Sequence, residues 1–69
     1  MKIHRRKFKK LVHGKGFYQW EFARKLNMRP ETLSRYVNGW FEIDRDLIDR
    51  ISQILEVPAE MFLRRRRND

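Results

Sequence analysis

Apolar residues recur along the chain at intervals of three and four, the spacing that puts side chains on one face of an α-helix. This pattern predicts helices over about residues 5–13, from 18 or 19 to 26, from 30 through 37, over about 45–55 and, as a short fifth, from 58. The expected inward side chains are those of Ile3, Phe8, Leu11, Val12, Phe22, Ala23, Leu26, Leu33, Tyr36, Leu47, Ile48, Ile51, Ile54, Leu55, Met61 and Phe62, with Val37 at the edge. No strand pattern or repeat interrupts these segments. The predicted fold class is therefore all-α, a compact domain of five helices.

Residues with special backbone preferences stand where these helices should begin and end. "HGKG" brings two glycines to the end of the first helix, and Asn27 can adopt the left-handed conformation of a tight turn after the second. Pro30 suits the first position of the third helix, which the pair Asn38–Gly39 should stop. Asp44 is a good N-cap for the fourth helix. Boundary signals and apolar spacing therefore agree on where the helices lie.

Length and composition point to one small domain. A chain of 69 residues is too short for two independent cores. We expect a single domain over 1–69, with its core at about 5–63 and a basic, disordered tail at 64–69. Cysteine is absent, which suits an intracellular protein. The apolar runs are far shorter than the roughly 20 residues that span a bilayer, and the basic start lacks the apolar stretch of a secretory signal, so we expect a cytoplasmic protein.

The charge of the chain favours a polyanionic partner. Seventeen Lys and Arg against nine acids give a net charge of +8, with a pI near 10.6. Residues 1–18 carry seven bases and no acid, whereas residues 42–60 carry six acids and two bases. One side of the molecule should therefore attract phosphate while another repels it. A well-solvated surface with basic ends is the alternative explanation.

The second and third predicted helices form a pair with the features of a helix-turn-helix over 19–38. Such a unit joins two short helices by a turn of three or four residues. Ala23 supplies a small residue where the helices would cross, and Asn27 supplies a permissive turn residue. Met28 can plug the core from the turn, and Leu33 can anchor the third helix. Each feature is ordinary alone, but their joint spacing favours this unit.

The segments "GFYQWEFARKLNMRPETLSRYVNGW" and "LIDRISQILEVPAEMFL" resemble the lambda-repressor-like helix-turn-helix family, also called Cro-type or XRE-type regulators. The resemblance covers roughly residues 8–63. It implies a five-helix domain whose third helix lies in the DNA major groove. It also implies a homodimer that acts as a transcriptional repressor on a palindromic double-stranded DNA operator. The chain departs from the family pattern at Asn27, where glycine is usual, and at Arg29, where a serine-like cap is usual.

The third helix should carry the residues that read bases. With Leu33 and Tyr36 inward, Pro30, Glu31, Ser34 and Arg35 should face outward. Arginine can donate to both O6 and N7 of guanine, glutamate can accept from the cytosine amino group, and serine suits either kind of base edge. Proline can pack against a thymine methyl, and Arg29 could reach a base or a phosphate. For Glu31 the alternative is a favourable interaction with the helix dipole, and for Arg35 it is a surface ion pair.

Contacts with the DNA backbone are expected from Lys15, Gln19 and Asn38. Gln19 begins the second helix, where its amide and nearby N–H groups could meet a phosphate. Asn38 could act from the end of the third helix, or serve only as a turn former. The N-terminal bases should add attraction that salt weakens. The run Arg64–Arg67 could follow the backbone or remain a solubilising tail.

Three aromatic residues have no assigned role. Trp20 lies where the family usually has a polar residue, and Trp40 and Phe41 replace a polar or basic loop. Phe41 could cap the core beside Ile43, while a tryptophan could form part of a dimer contact. Satellite packing on the core is the alternative for each.

Nothing in the sequence favours an enzyme. Its two histidines lie in the basic N-terminal region with no cysteine, no helical metal-pair spacing and no carboxylate nearby, so no catalytic residue, metal site or cofactor is expected. Two other functions remain open beside the DNA-binding regulator. One is the antitoxin of a toxin–antitoxin pair, which would bind a small toxic protein and regulate its own promoter. The other is a charge-driven, non-specific binder of nucleic acid or anionic membrane.

Overall fold

A computed structural model describes residues 1–64, which form four α-helices. These are α1 (Arg5–Gly14), α2 (Gln19–Lys25), α3 (Pro30–Val37) and α4 (Arg45–Leu55). A single 3₁₀ turn, Ala59–Met61, follows α4. Within residues 1–64 there is no strand beyond one isolated antiparallel bridge between Ile3 and Leu63. The predicted all-α class is confirmed. Of the tail predicted at 64–69, Arg64 is paired with the N-terminal segment, and residues 65–69 lie outside the described residues.

Short polar contacts fix the starts of three helices. The Nδ1 atom of His4 accepts a hydrogen bond from the backbone N–H of Lys7 at 3.3 Å, and so caps α1. The Glu21 carboxylate accepts from the N–H of Tyr18 at 2.9 Å, just before α2. The Asp44 carboxylate accepts from the N–H of Leu47 at 2.9 Å, the N-cap predicted for α4.

The predicted fifth helix is wrong, because the chain after Pro58 turns only once and then extends. The N–H groups of Phe62 and Leu63 both bond to the carbonyl of Ala59, which closes the 3₁₀ turn. Beyond it, the Arg64 N–H donates to the Lys2 carbonyl at 2.8 Å, so pairing with the N-terminal segment replaces further helix. Leu63 is buried as a result, whereas Met61, expected in the core, is 45% exposed.

One apolar core joins all four helices and both ends of the described chain. Its buried members are Ile3, Phe8, Val12, Phe22, Ala23, Leu26, Leu33, Val37, Ile43, Leu47, Ile48, Ile51, Leu55, Phe62 and Leu63. Phe8 is fully buried and contacts two other rings edge to face. Its ring centroid lies 5.5 Å from that of Phe22 and 6.4 Å from that of Phe62. The core therefore ties the N-terminal segment and α1 to α2 and to the C-terminal turn.

The inward face of α3 differs by one position from its prediction. Val37, expected at the edge, is 2% exposed, and Tyr36, expected inward, lies at the margin of the core. Tyr36 contacts Phe41 edge to face, with ring centroids 5.3 Å apart. Phe41 itself is 40% exposed and does not cap the core; Ile43 enters the core instead. Leu33 and Val37, four residues apart, lie on one helix face and are both buried, while the ring of Tyr36 packs against Phe41.

Candidate nucleic-acid interface

The turn between α2 and α3 is held by backbone geometry and by one long side chain. Asn27 has a φ of +58°, the left-handed conformation predicted for it. The Met28 N–H donates to the Ala23 carbonyl at 2.9 Å, across the turn. From α4, the guanidinium of Arg50 donates to the Leu26 carbonyl at 2.8 Å and so binds the end of α2. These contacts fix the direction in which α3 leaves the turn.

The exposed face of α3 carries the side chains predicted to read bases. Leu33 and Val37 point into the core, at 0% and 2% exposure. Glu31, Arg35 and Asn38 lie on the other side of the helix and are exposed. Ser34 lies between the two sides and is half-buried, and Pro30 is exposed at the start of the helix. Arg29, just before the helix, is exposed and makes no side-chain cap. The structure therefore brings all five predicted base-reading residues to one helix and its first turn.

Ser34 and Asn38 interact directly on this face. The Asn38 amide nitrogen donates to the Ser34 hydroxyl oxygen at 3.3 Å, across one turn of α3. The contact orients both groups and leaves the serine hydroxyl hydrogen and the asparagine carbonyl oxygen able to bond elsewhere. Gly39 follows with a φ of +83°, and its N–H ends the helix on the Tyr36 carbonyl. Asn38 therefore lies in the turn and on the polar face at once, as both of its predicted roles require.

Glu31 and Arg35 keep their charged groups at the surface. They lie one helical turn apart on α3. Within residues 1–64 two ion pairs occur, one between the terminal amine and Glu42 and one between Lys15 and Glu56. Neither pair includes Glu31 or Arg35, so the described part of the chain gives Arg35 no ion-pair partner. Glu31 lies in the first turn of α3, where its interaction with the helix dipole remains the alternative.

Lys15, a predicted phosphate contact, is engaged elsewhere. Its ammonium group donates to the Glu56 carboxylate at 2.9 Å, in the turn after α4. That hydrogen bond, followed by the charge of Lys15, lowers the pKa of Glu56 below its ordinary value. Glu56 adopts a φ of +58° as the C-cap of α4. A phosphate bound by Lys15 would therefore have to compete with this carboxylate.

The start of α2 presents a half-buried polar residue between two exposed aromatic side chains. Gln19 is the first residue of α2 and is half-buried. Tyr18 and Trp20 stack on each other beside it, with ring centroids 6.3 Å apart and planes 8° from parallel. They are 65% and 49% exposed. Sequence reasoning singled out Trp20 but not Tyr18, because contact between residues two apart is not expected from helical spacing.

Two residues that shape the site were not foreseen. Arg50 had no assigned role, yet its head group reaches the turn before α3. Glu56 had no assigned role, yet it holds Lys15. Both partners lie more than twenty residues away in sequence, so local spacing carries no signal for either contact.

The described chain offers no metal site and no membrane-spanning helix. Residues 1–64 contain no group of three or more His, Cys, Asp or Glu side chains arranged to hold a metal ion. None of the helices in the same range is long and apolar enough to cross a bilayer.

The chain matches no protein-family model, no curated protein and no solved structure. Its resemblance to lambda-repressor-like regulators therefore rests on its own motif residues, and any function follows from the geometry described above.

Proposed function

We propose that the chain is a sequence-specific, double-stranded DNA-binding regulator of the lambda-repressor-like type, in which α2 and α3 form a helix-turn-helix and α3 enters the major groove. The observation that carries this proposal is the two-sided character of α3. Leu33 and Val37 anchor it to the core. Away from the core it exposes Glu31 and Arg35, with the half-buried Ser34 beside them. A short helix held this way can offer hydrogen-bonding groups to base edges without unfolding.

The contacts of α3 divide into base-reading and backbone contacts. Arg35 would donate to guanine, and Glu31 would accept from cytosine. Ser34 would bond to an adjacent base edge in the orientation that Asn38 gives it. Pro30 and Arg29 would lie at the entry of the helix, while Gln19 and Asn38 would meet phosphates on either side. The net charge of +8 would supply attraction that does not depend on sequence.

Exposed aromatic side chains support association with a second copy. Trp40 is 73% exposed and follows α3 directly, next to the half-exposed Phe41. Buried tryptophans often dominate the energy of protein interfaces. A homodimer joined near this position would present two copies of α3 to two half-sites. Sedimentation of the wild type and of Trp40→Ala would test this: we expect a dimer for the first and a monomer for the second.

In vitro selection from random duplex DNA tests the main proposal, with excess non-specific competitor at near-physiological salt. We expect two related half-sites about one helical turn apart, roughly 10 base pairs. Substitution of Arg35 by alanine should then relax one position in each half-site and weaken binding by about 1–3 kcal/mol. Strong, salt-sensitive binding without any selected motif would instead favour the charge-driven binder.

A further inference from the structure

We infer that a second surface, separate from the exposed face of α3, binds the phosphate backbone of the duplex. It is called here the cationic groove and is defined by Lys2, Arg5, Arg6, Lys9 and Arg64. The inference rests on the proposed function for its partner, double-stranded DNA. It places the attraction expected from the N-terminal bases and from Arg64 on one surface, which the sequence alone did not bring together.

Backbone pairing brings the two ends of the described chain together to form this groove. The His4 N–H donates to the Phe62 carbonyl, and the Arg64 N–H donates to the Lys2 carbonyl, both at 2.8 Å. Ile3 and Leu63, which lie between these bonds, are buried. Since side chains alternate across extended backbone, the buried pair leaves Lys2 and Arg64 on the outer side. Two cations that are 62 positions apart in the sequence are thus held beside each other.

Two surface depressions meet at these residues and make one continuous path. The first is lined by His4, Arg5, Arg6, Lys9 and Arg64. The second is lined in part by Lys2, Arg5, Arg64, Asn38 and Gly39. Arg5 and Arg64 belong to both. The path therefore runs from the exposed face of α1 to the C-terminal end of α3, where a bound duplex would leave the base-reading helix.

The five cations of the groove form no ion pair within residues 1–64. Glu42 lies close enough for Lys2 to contribute to the lowering of its pKa, but its main partner is the terminal amine. Three of the five cations are arginines, whose planar guanidinium groups match phosphate oxygens in pairs. A polyanion that presents phosphate groups fits this set of cations.

Continuity with α3 favours duplex DNA over other polyanions. A duplex lying against α3 would pass Asn38 and Gly39, and these residues also line the groove. Its backbone would then continue along Lys2, Arg5 and Arg64 toward α1. An RNA that does not bind α3 through its major groove, or an anionic membrane, would not contact the cationic groove and α3 at the same time.

Two charge-matched double variants on α1 test the inference. Arg5→Gln with Lys9→Gln removes two charges from the groove. Lys7→Gln with Lys10→Gln removes two exposed charges from the same helix outside both depressions. Circular dichroism and thermal unfolding of each full-length variant would establish that both fold. Binding to a random-sequence duplex and to the selected operator is then measured between about 50 and 200 mM salt.

The groove variant should bind both duplexes more weakly and by the same factor. Loss of two phosphate contacts should reduce the slope of log affinity against log salt by about 2. Between the two salt concentrations, the affinity of the groove variant should therefore fall by a factor roughly tenfold smaller than that of the wild type. The control variant should stay within about twofold of the wild type. Equal effects of the two variants would overturn the inference in favour of diffuse charge, and an effect on the operator alone would overturn it in favour of base reading. Unchanged duplex binding with lost binding to phosphatidylserine vesicles would overturn it in favour of a membrane.

Failure of the proposed function would be seen separately. A wild type that binds operator and random duplex equally has no sequence preference, whatever the groove does. The slopes measured on random duplex would still decide whether the groove binds phosphate.

Discussion

Two neighbouring helices of this domain, α3 and α4, use their side chains in opposite ways. Four apolar side chains of α4 are buried, Asp44 caps its start, and Arg50 reaches back to the turn before α3. Only Leu33 and Val37 of α3 are buried, and its cap position holds an arginine that makes no capping bond. Polar residues at the start and on the surface of α4 thus stabilise the fold, whereas those of α3 make few contacts within residues 1–64. Because other parts of the chain hold α3 in place, its exposed side chains can contact a partner without loss of the fold.

The largest effect expected from this difference concerns Ile51, which is fully buried on α4. Ile51→Ala should lower the free energy of unfolding by about 2–5 kcal/mol, because it removes buried apolar atoms and leaves a cavity. Arg35→Ala on the exposed face of α3 should change it by no more than about 0.5 kcal/mol. Urea unfolding of both variants measures this. A loss for Arg35→Ala as large as that for Ile51→Ala would show that the α3 surface holds the fold together.

The features that the sequence alone could predict are those that depend on interactions within a helix or at its ends. Apolar spacing and boundary residues located α3 and α4 with the observed ends, and Asn27 adopted its predicted left-handed conformation. These features depend on interactions within a few residues. The exposure of Glu31 and Arg35 followed from the same spacing, whereas Ser34 is half-buried. Val37 takes the buried position expected for Tyr36.

What the sequence did not predict depends on contacts between distant segments. The fifth helix was replaced by a 3₁₀ turn because residues 62–64 pair with the N-terminal segment. Lys15 was expected on phosphate but lies against Glu56, 41 residues away. The contact of Arg50 with Leu26 spans 24 residues. Neither propensity nor periodicity contains such information, because both describe a single element.

An intermediate effect on stability is expected at the helix starts, where the N-cap of α4 can be removed and one can be added to α3. Asp44→Ala should destabilise the domain by about 1 kcal/mol, because the N–H of Leu47 loses its acceptor. Arg29→Ser places a capping hydroxyl on backbone already in the extended N-cap conformation, with φ −71° and ψ 145°. It should stabilise the domain by up to about 1 kcal/mol.

Unfolding and DNA binding, measured on the same two variants, separate the effect of each residue on stability from its effect on the partner. Arg29→Ser should gain stability and bind the operator more weakly, while Asp44→Ala should lose stability and keep its sequence preference. If Arg29→Ser gained stability with unchanged binding, Arg29 would have no part in the interface.

The smallest effect lies at the far end of α4, where Glu56 meets Lys15. The hydrogen bond from Lys15 lowers the pKa of Glu56 in the folded state below the ordinary 4.5, so the folded state binds this proton less readily than the unfolded chain does. The stabilisation is therefore fully present above about pH 4.5 and is lost as the pH falls through the lowered folded value. Glu56→Gln should unfold at a slightly lower temperature than the wild type near pH 7, and this difference should shrink as the pH falls below the lowered pKa of Glu56. Glu60→Gln, which removes an exposed carboxylate outside both ion pairs, serves as the control. A difference between Glu56→Gln and the wild type that persisted unchanged at low pH would mean that the effect of the substitution does not come from the ion pair with Lys15.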